Sequence, residues 1–399
     1  MNRIINMAKE IDDYLRRVRR ELHQNAELSN EEKQTAEIIK RELLTMKCFS
    51  IKTNVYGYGI IADLKGKYPG KNIALRADMD ALQIEEQVEV DWKSKNAGVM
   101  HACGHDNHMA ILLGTAKVLS TLKDEIYGNV RLIFQPAEEF SPIGGSRGMI
   151  KAGALDDIDA IFGLHVWPEL DLGKIGIKSG PMMAASDRIL IEFNGKSSHA
   201  AKPDKGIDSI VAGMECINAI QAIISRNVDP MESAVITVGK INAGTRYNII
   251  ADKCIIEGTC RTFKPEIRQM VEKRLEDVVE GISKVSECNG ILNYEHGYMP
   301  VINDKVMTEY VKNVVKKVYN EDVVDIKAGM ASEDFSFYLD KKPGAFICLG
   351  TAKPNEKNYP LHNGNYNPDE EVLWHGVALF IGLVLYFNKW SKELYKFFV

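Results

Sequence analysis

The chain has 399 residues, 45% of them hydrophobic and 26% charged, with a formal net charge of −5. That length exceeds one ordinary core and points to two domains of roughly 100–250 residues each. So mild a charge gives no electrostatic reason to expect nucleic acid or an anionic membrane as partner. The opening segment, MNRIINMAKEIDDYLRRVRREL, lacks the apolar core of a signal peptide and reads as an amphipathic helix. Residues 31–47 have a helical period, and 59–64 and 72–76 read as short buried strands. A long apolar helix over 108–122 precedes a strand at 129–134, and another strand is expected at 158–164. Each early strand ends where polar residues able to bind a metal begin, as α/β folds place their sites at the carboxyl ends of strands.

The middle of the chain changes character. A strand over 188–193, a helix over 208–225, strands over 234–241 and 253–262 and a helix over 265–288 make a β-α-β-β-α order. That order suits a compact α+β insert. Alternation then resumes with a helix over 304–319, a strand over 344–349 and a final helix. The apolar run from Val377 to Phe387 is far shorter than the ~20 residues that cross a bilayer, so a buried helix is expected there. Seven scattered cysteines, without a disulfide framework, suggest a reducing, cytoplasmic compartment.

Five clusters carry the chemistry: Arg76-Ala77-Asp78-Met79-Asp80, His101 to His108, Phe134 to Glu139, Gly163 to Pro168, and Leu361-His362-Asn363-Gly364. Cys103 and His105 stand two apart, so an extended loop would point both to one side. Thiolate and imidazole are good ligands for zinc-like ions. Glu139 and His165 each follow an expected strand, and parallel strands would gather them with His362. Five ligands are few for two ions unless one bridges, which a thiolate can do. Two ions ~3.5–4 Å apart can share a water and lower its pKa towards ~7. In the pair Glu138-Glu139 one carboxylate can bind metal while its neighbour moves a proton. His23, His296 and His375, each standing alone, read as structural or surface residues.

With these residues in view, the chain resembles the M20 metallopeptidase and aminoacylase superfamily. The similar branch holds bacterial N-acyl-amino-acid amidohydrolases, hippurate hydrolases, N-acetyl-diaminopimelate deacetylases and plant auxin-conjugate hydrolases. The likeness runs through ELHQNAELSNEE, ALRADMDAL, MHACGHDNHMAILLGTA, FQPAEE, GLHVWP, SSHAAKPDKGIDSI, residues 242–263, ASEDF and LHNGNYNPDEE. It implies a two-domain α/β fold: a di-metal, aminopeptidase-like catalytic domain over 1–182 and 296–399, and an inserted α+β, ferredoxin-like lid over 183–295. It implies Cys103, His105, Glu139, His165 and His362 as ligands of two divalent ions (Zn²⁺ or Mn²⁺, with Ni²⁺ a further option), Cys103 bridging. Glu138 would be the general base and acid, and Asp80 a support orienting a ligand. In the lid, His199 would polarise the scissile carbonyl, in its own or a partner subunit, while Asn248 and Arg261 would hold substrate. The lid would also mediate a homodimer or homotetramer. Ala26, Gln83 and Ala251 stand where the family usually has proline, all outside the ligand set.

The expected reaction is hydrolysis of N-acyl-L-amino acids, N-acetyl or N-benzoyl in type, by a metal-bridged water with Glu138 as base. An acyl pocket is expected around Met182, Met183 and Gly144-Gly145. Three alternatives stand beside it: a di-metal carboxypeptidase or dipeptidase, a thiol hydrolase using Cys103 and His105, and a non-catalytic amino-acid-binding homologue. The last is disfavoured because both Glu138 and Glu139 are present.

Overall fold

The computed structural model describes residues 2–353 and 356–395. In chain order these form α1 (Arg3–Lys9), α2 (Asp12–Gln24), α3 (Lys33–Thr45), β1 (Phe49–Thr53), β2 (Ile60–Lys65), β3 (Ile73–Asp78) and α4 (His105–Leu122). There follow β4 (Asn129–Gln135), α5 (Ser146–Lys151), β5 (Ala160–Asp171), β6 (Ile175–Ile177), β7 (Gly180–Met183) and β8 (Ala185–Asn194). Next come α6 (Ser209–Asn227), β9 (Ala234–Ala243), β10 (Lys253–Thr262), α7 (Pro265–Ser286) and β11 (Asn289–Tyr298). The last are β12 (Val301–Asn303), α8 (Lys305–Tyr319), β13 (Val324–Asp325), α9 (Ser336–Lys341), β14 (Gly344–Ala352) and α10 (Val372–Tyr395).

Two compact units result: Met1–Gly180 with Ile302–Lys327 and Asp334–Val399, and Pro181–Val301 with Ala328–Glu333. The expected insert over 183–295 has its limits inside β7 and β11.

The first unit is built on an eight-stranded sheet, ordered β1-β2-β4-β3-β5-β14-β6-β13. Its four central strands, β4, β3, β5 and β14, are mutually parallel. A parallel strand covered on both faces is apolar throughout, and every residue of β3 is buried. Helix α4 is buried almost all round, from His105 to Ala116. It belongs to one core with Leu15, Val18 and Leu22 of α2 and Val377, Phe380 and Ile381 of α10. Helix α10 is long and apolar enough to cross a membrane, yet most of its apolar stretch is buried inside this unit. It is a core helix.

The second unit reads β8-α6-β9-β10-α7-β11, with an antiparallel sheet ordered β11-β8-β10-β9. Strand β8 alternates buried and half-buried from Ile189 to Asn194. Ala212, Cys216, Ile220 and Ile223 of α6 recur at helical spacing and share a core with Val271, Leu275 and Val279 of α7 and Ile189, Ile191 and Phe193 of β8. Asp208 caps α6 by accepting from the Ile210 and Val211 N–H groups. Buried Asp187 ties the unit together, accepting from Arg268 Nε at 2.8 Å, Tyr294 Oη at 2.7 Å and Gly297 N at 3.0 Å.

Candidate metal centre

Four parallel strands in one sheet deliver polar residues to a common edge, and the first unit uses it fully. Asp78 ends β3 and Asp80 lies two residues beyond; Glu138 and Glu139 follow β4; His165 lies within β5. His362 arrives in the loop after β14, with a left-handed backbone (φ 61°) and its N–H bound to Ala102 O at 2.9 Å.

Two expectations are corrected here. Cys103 and His105 do not share an extended loop. Cys103 lies in a turn, Gly104 is left-handed at φ 87°, and His105 opens α4. Only glycine takes that conformation freely, and a Cβ there would also press on Val166. Nor does His165 follow its strand. Strand β5 runs on to Asp171, so His165 points from the sheet face, with Nδ1 donating to Val166 O at 2.7 Å.

Cys103 Sγ lies 3.4 Å from His165 Nε2 and 3.3 Å from His362 Nε2. Glu139 Oε1 is 3.3 Å from His362 Nε2 and 3.9 Å from His105 Nε2. The donor atoms form two triads that share one sulfur: Cys103 with His105 and His165, and Cys103 with Glu139 and His362, each within 4.8 Å. The donors are thiol, imidazole and carboxylate, the set that zinc-like divalent ions take. Among the described residues, His105 Nε2 and Glu139 Oε1 are buried without a hydrogen-bond partner. Orphaned donors of this kind in a closed site are what a bound ion would satisfy.

The electrostatics agree. Burial, then the charges of Glu139, Glu138 and Asp78, hold the Cys103 thiol well above its ordinary value. Burial opposes charge on His105, yet Asp78, Asp80 and Glu139 raise its imidazole to about 10. Such a pocket is short of positive charge. Among the described residues, hydrogen-bond-range contacts of the Cys103 sulfur go to His165 and His362 and none to His105, which gives no support to the Cys103–His105 thiol hydrolase.

Supporting hydrogen bonds fix the ligand rings. His105 Nδ1 meets Asp80 O at 2.9 Å, which turns Nε2 into the cluster. Asp80 Oδ2 accepts from Glu139 N at 2.8 Å and Ser29 Oγ at 2.6 Å. Beneath lies a second buried relay that the sequence reading did not single out. Arg76 binds Asp78 at 2.7 Å, Asp78 binds His108 Nδ1 at 2.6 Å, and His108 Nε2 accepts from Val166 N at 3.0 Å. Arg76 also reaches Asp334 at 2.9 Å, and the Asp334 N–H points at Glu138 Oε1, 3.4 Å away. Charged Arg76 and Asp78 inside an otherwise apolar strand were the available signal. His23 is structural as expected, buried between Asp106 (2.8 Å) and Glu86 (3.2 Å).

In the second unit, His199 is exposed and its Nδ1 accepts from Ala201 N at 3.0 Å. Its segment bridges to Ile249, and Ala200 N donates to Asn248 O at 3.1 Å, so His199 and Asn248 are neighbours. Asn248 Oδ1 is buried without a hydrogen-bond partner. Arg261 is half-buried, and its one hydrogen bond among the described residues goes to Ser332 Oγ at 3.2 Å.

A sheet-edge cluster of two sulfur-sharing ligand triads beside a second carboxylate defines a metal-dependent hydrolase of the α/β class. Residues 74–386 match the family model described as peptidase family M20/M25/M40. The chain belongs to that family, whose members hydrolyse amide bonds. It is 43% identical over 343 residues to the N-acetyl-L-cysteine deacetylase of Bacillus subtilis, covering 86% of this chain and 82% of that one. It is 44% identical over 289 residues to the N-acyl-L-amino acid amidohydrolase of Geobacillus stearothermophilus, covering 71% and 76%. The crystal structure of B. subtilis YXEP, described as a dinuclear metal binding peptidase of family M20, superposes with a TM-score of 0.84 at 35% identity, covering 96% of this chain and 99% of that one.

Proposed function

We propose that the protein hydrolyses N-acyl-L-amino acids to a carboxylic acid and a free amino acid. The two triads sharing Cys103, with Glu138 beside them, carry this reading. Cys103, His105 and His165 would hold one divalent ion, and Cys103, Glu139 and His362 a second. When bound, the ions supply Lewis acidity that lowers the pKa of water and polarises a carbonyl. The thiolate favours Zn²⁺; Mn²⁺ and Ni²⁺ remain alternatives.

Glu138 takes the proton from the attacking water and delivers it to the departing amine nitrogen. Its burial, 6% exposed, keeps that proton from bulk solvent. Asp80 orients His105 and Glu139. His199 stabilises the developing oxyanion: because Nδ1 already accepts a backbone N–H, the neutral ring carries its proton on Nε2, ready to donate. Arg261, a half-buried cation in no ion-pair contact among the described residues, binds the substrate α-carboxylate, with Asn248 supplying a hydrogen-bonding amide.

The second unit forms a homodimer or homotetramer interface. Strand β9 is an unpaired sheet edge, and α6 exposes Ile210, Val211 and Met214. Seven cysteines without a disulfide suit the cytoplasm. The test is a panel of N-acetyl and N-benzoyl amino acids and dipeptides against metal-reconstituted protein. Turnover of dipeptides alone would replace this reading with a dipeptidase, and turnover of nothing with a binding protein.

A further inference from the structure

The turn after β4 has a backbone that its sequence does not favour. Ala137 is left-handed at φ 57°, a region that a Cβ disfavours. Ala137 is only 1% exposed, so its N–H needs a partner inside the protein. That partner is Glu32, whose Oε1 accepts at 2.8 Å. Two residues on, the Glu139 N–H donates to Asp80 Oδ2 at 2.8 Å. Two carboxylates from different parts of the chain therefore grip both ends of a three-residue turn, with Glu138 between them.

Glu32 is fully buried and occupies the N-cap position of α3, yet its side chain does not cap that helix. Glu27 does so instead, accepting from Gln34 N at 3.0 Å and Thr35 N at 2.9 Å. The second oxygen of Glu32 has no hydrogen-bond partner among the described residues. Burying a carboxyl is costly. One buried this deeply, and turned to an amide of another loop, serves that loop rather than its own helix.

We propose that Glu32 is a positioning residue that holds Ala137 in its left-handed conformation, so that Glu138 and Glu139 leave the turn in different directions. Glu138 then reaches the Asp334 N–H and Glu139 reaches His362. This inference rests on the proposed roles of Glu138 as base and Glu139 as ligand.

The test compares Glu32→Gln, which keeps an oxygen acceptor, with Glu32→Met, which fills similar space without one. Both need a cooperative melt to be scored. Glu32→Gln should stay within about threefold of wild type in kcat and in Mn²⁺ affinity, measured calorimetrically on metal-free protein. Glu32→Met should lose at least tenfold in kcat with KM little changed, and at least tenfold in affinity for the weaker Mn²⁺. Adding Ala137→Gly to Glu32→Met should recover both, since glycine adopts the left-handed turn unaided. Wild-type values for Glu32→Met, equal damage in Glu32→Gln, or no recovery by Ala137→Gly would each overturn the proposal. Should Glu32→Met not fold, hydrogen exchange in the metal-free wild type decides: a protected Ala137 amide supports the contact, and rapid exchange removes it. Glu138→Gln is run alongside. If it stays active, the base assignment fails, while the Mn²⁺ comparison still judges Glu32.

Discussion

Across 259 residues of chain, His362 Nε2 comes within 3.3 Å of Cys103 Sγ. The same sulfur lies 3.4 Å from His165 Nε2, so one atom belongs to both ligand triads. Cys103→Ala is therefore expected to lose both ions, whereas His362→Ala should retain close to one. Metal content after gel filtration checks this. Full loading of Cys103→Ala would remove the sulfur from its shared position.

Glu138 stands apart from those triads that share the sulfur. Glu138→Gln should lower kcat by at least the ~10²–10⁴ typical of general base catalysis. Metal content and melting temperature should stay near wild type. Substantial activity in a fully loaded Glu138→Gln protein would assign the base elsewhere.

Chelation should abolish activity, and Mn²⁺ or Zn²⁺ should restore it. It should also destabilise the fold: free ion at a hundred times Kd contributes ~2.7 kcal/mol per site. A melt with and without chelator reads this directly. Full activity in stripped protein, lost only on thiol alkylation, would favour Cys103 as a nucleophile.

Arg261 makes no ion-pair contact among the described residues: its side chain bonds the Ser332 hydroxyl, and Asp187 adds only a favourable charge interaction. Losing a charge-assisted bond to a substrate carboxylate costs ~1.5–3 kcal/mol. Arg261→Ala should accordingly reduce kcat/KM roughly 10–150-fold on N-acyl amino acids. It should reduce it far less on their methyl esters. Equal losses on acid and ester would mean that Arg261 serves the fold.

Glu42 supplies a pH dependence remote from the metal centre. Burial opposes its ionisation, but Arg17 and Arg41 hold its carboxyl below the ordinary value. A folded pKa below the unfolded one stabilises above the unfolded pKa, and the gain is lost as pH falls through the folded pKa. Arg17 and Arg41 are solvent-exposed, so screening keeps the effect below ~1 kcal/mol. Glu42→Gln should make stability less sensitive to pH on the acid side. Parallel acid unfolding curves for the two proteins would refute this.

The sequence announced the site better than its local geometry. Strands β3 and β4 were readable from short apolar runs, Ile73 to Leu75 and Leu132 to Phe134, as parallel strands buried on both faces leave them, ending at Arg76 and Gln135. The same reasoning cut β5 short, because polar His165 was read as following the strand, although it sits within it. The Cys103–His105 turn was misjudged because two-residue spacing suggests extended chain, while Gly104 allows a left-handed step. Strand β11 escaped notice because its apolar residues are few and partly exposed. The attachment of Ala328–Glu333 to the second unit follows from tertiary contacts that no periodicity encodes. Glu32 falls in a segment read only for its helical period; its burial and its contact with Ala137 appear only in the folded chain.

The order in which the first unit is written along the chain also matters while the protein is being made. Strand β14 lies between β5 and β6 in the sheet, yet the whole second unit is translated before it. Until then the nascent chain carries an open parallel edge along β5, the kind of edge that invites wrong pairing. His362 follows later still, so a ribosome-bound chain can hold at most part of its ligand set. With the proposed ligands, metal capture would belong to the last stage of biogenesis, and chains truncated before residue 362 should emerge as metal-poor, aggregation-prone products.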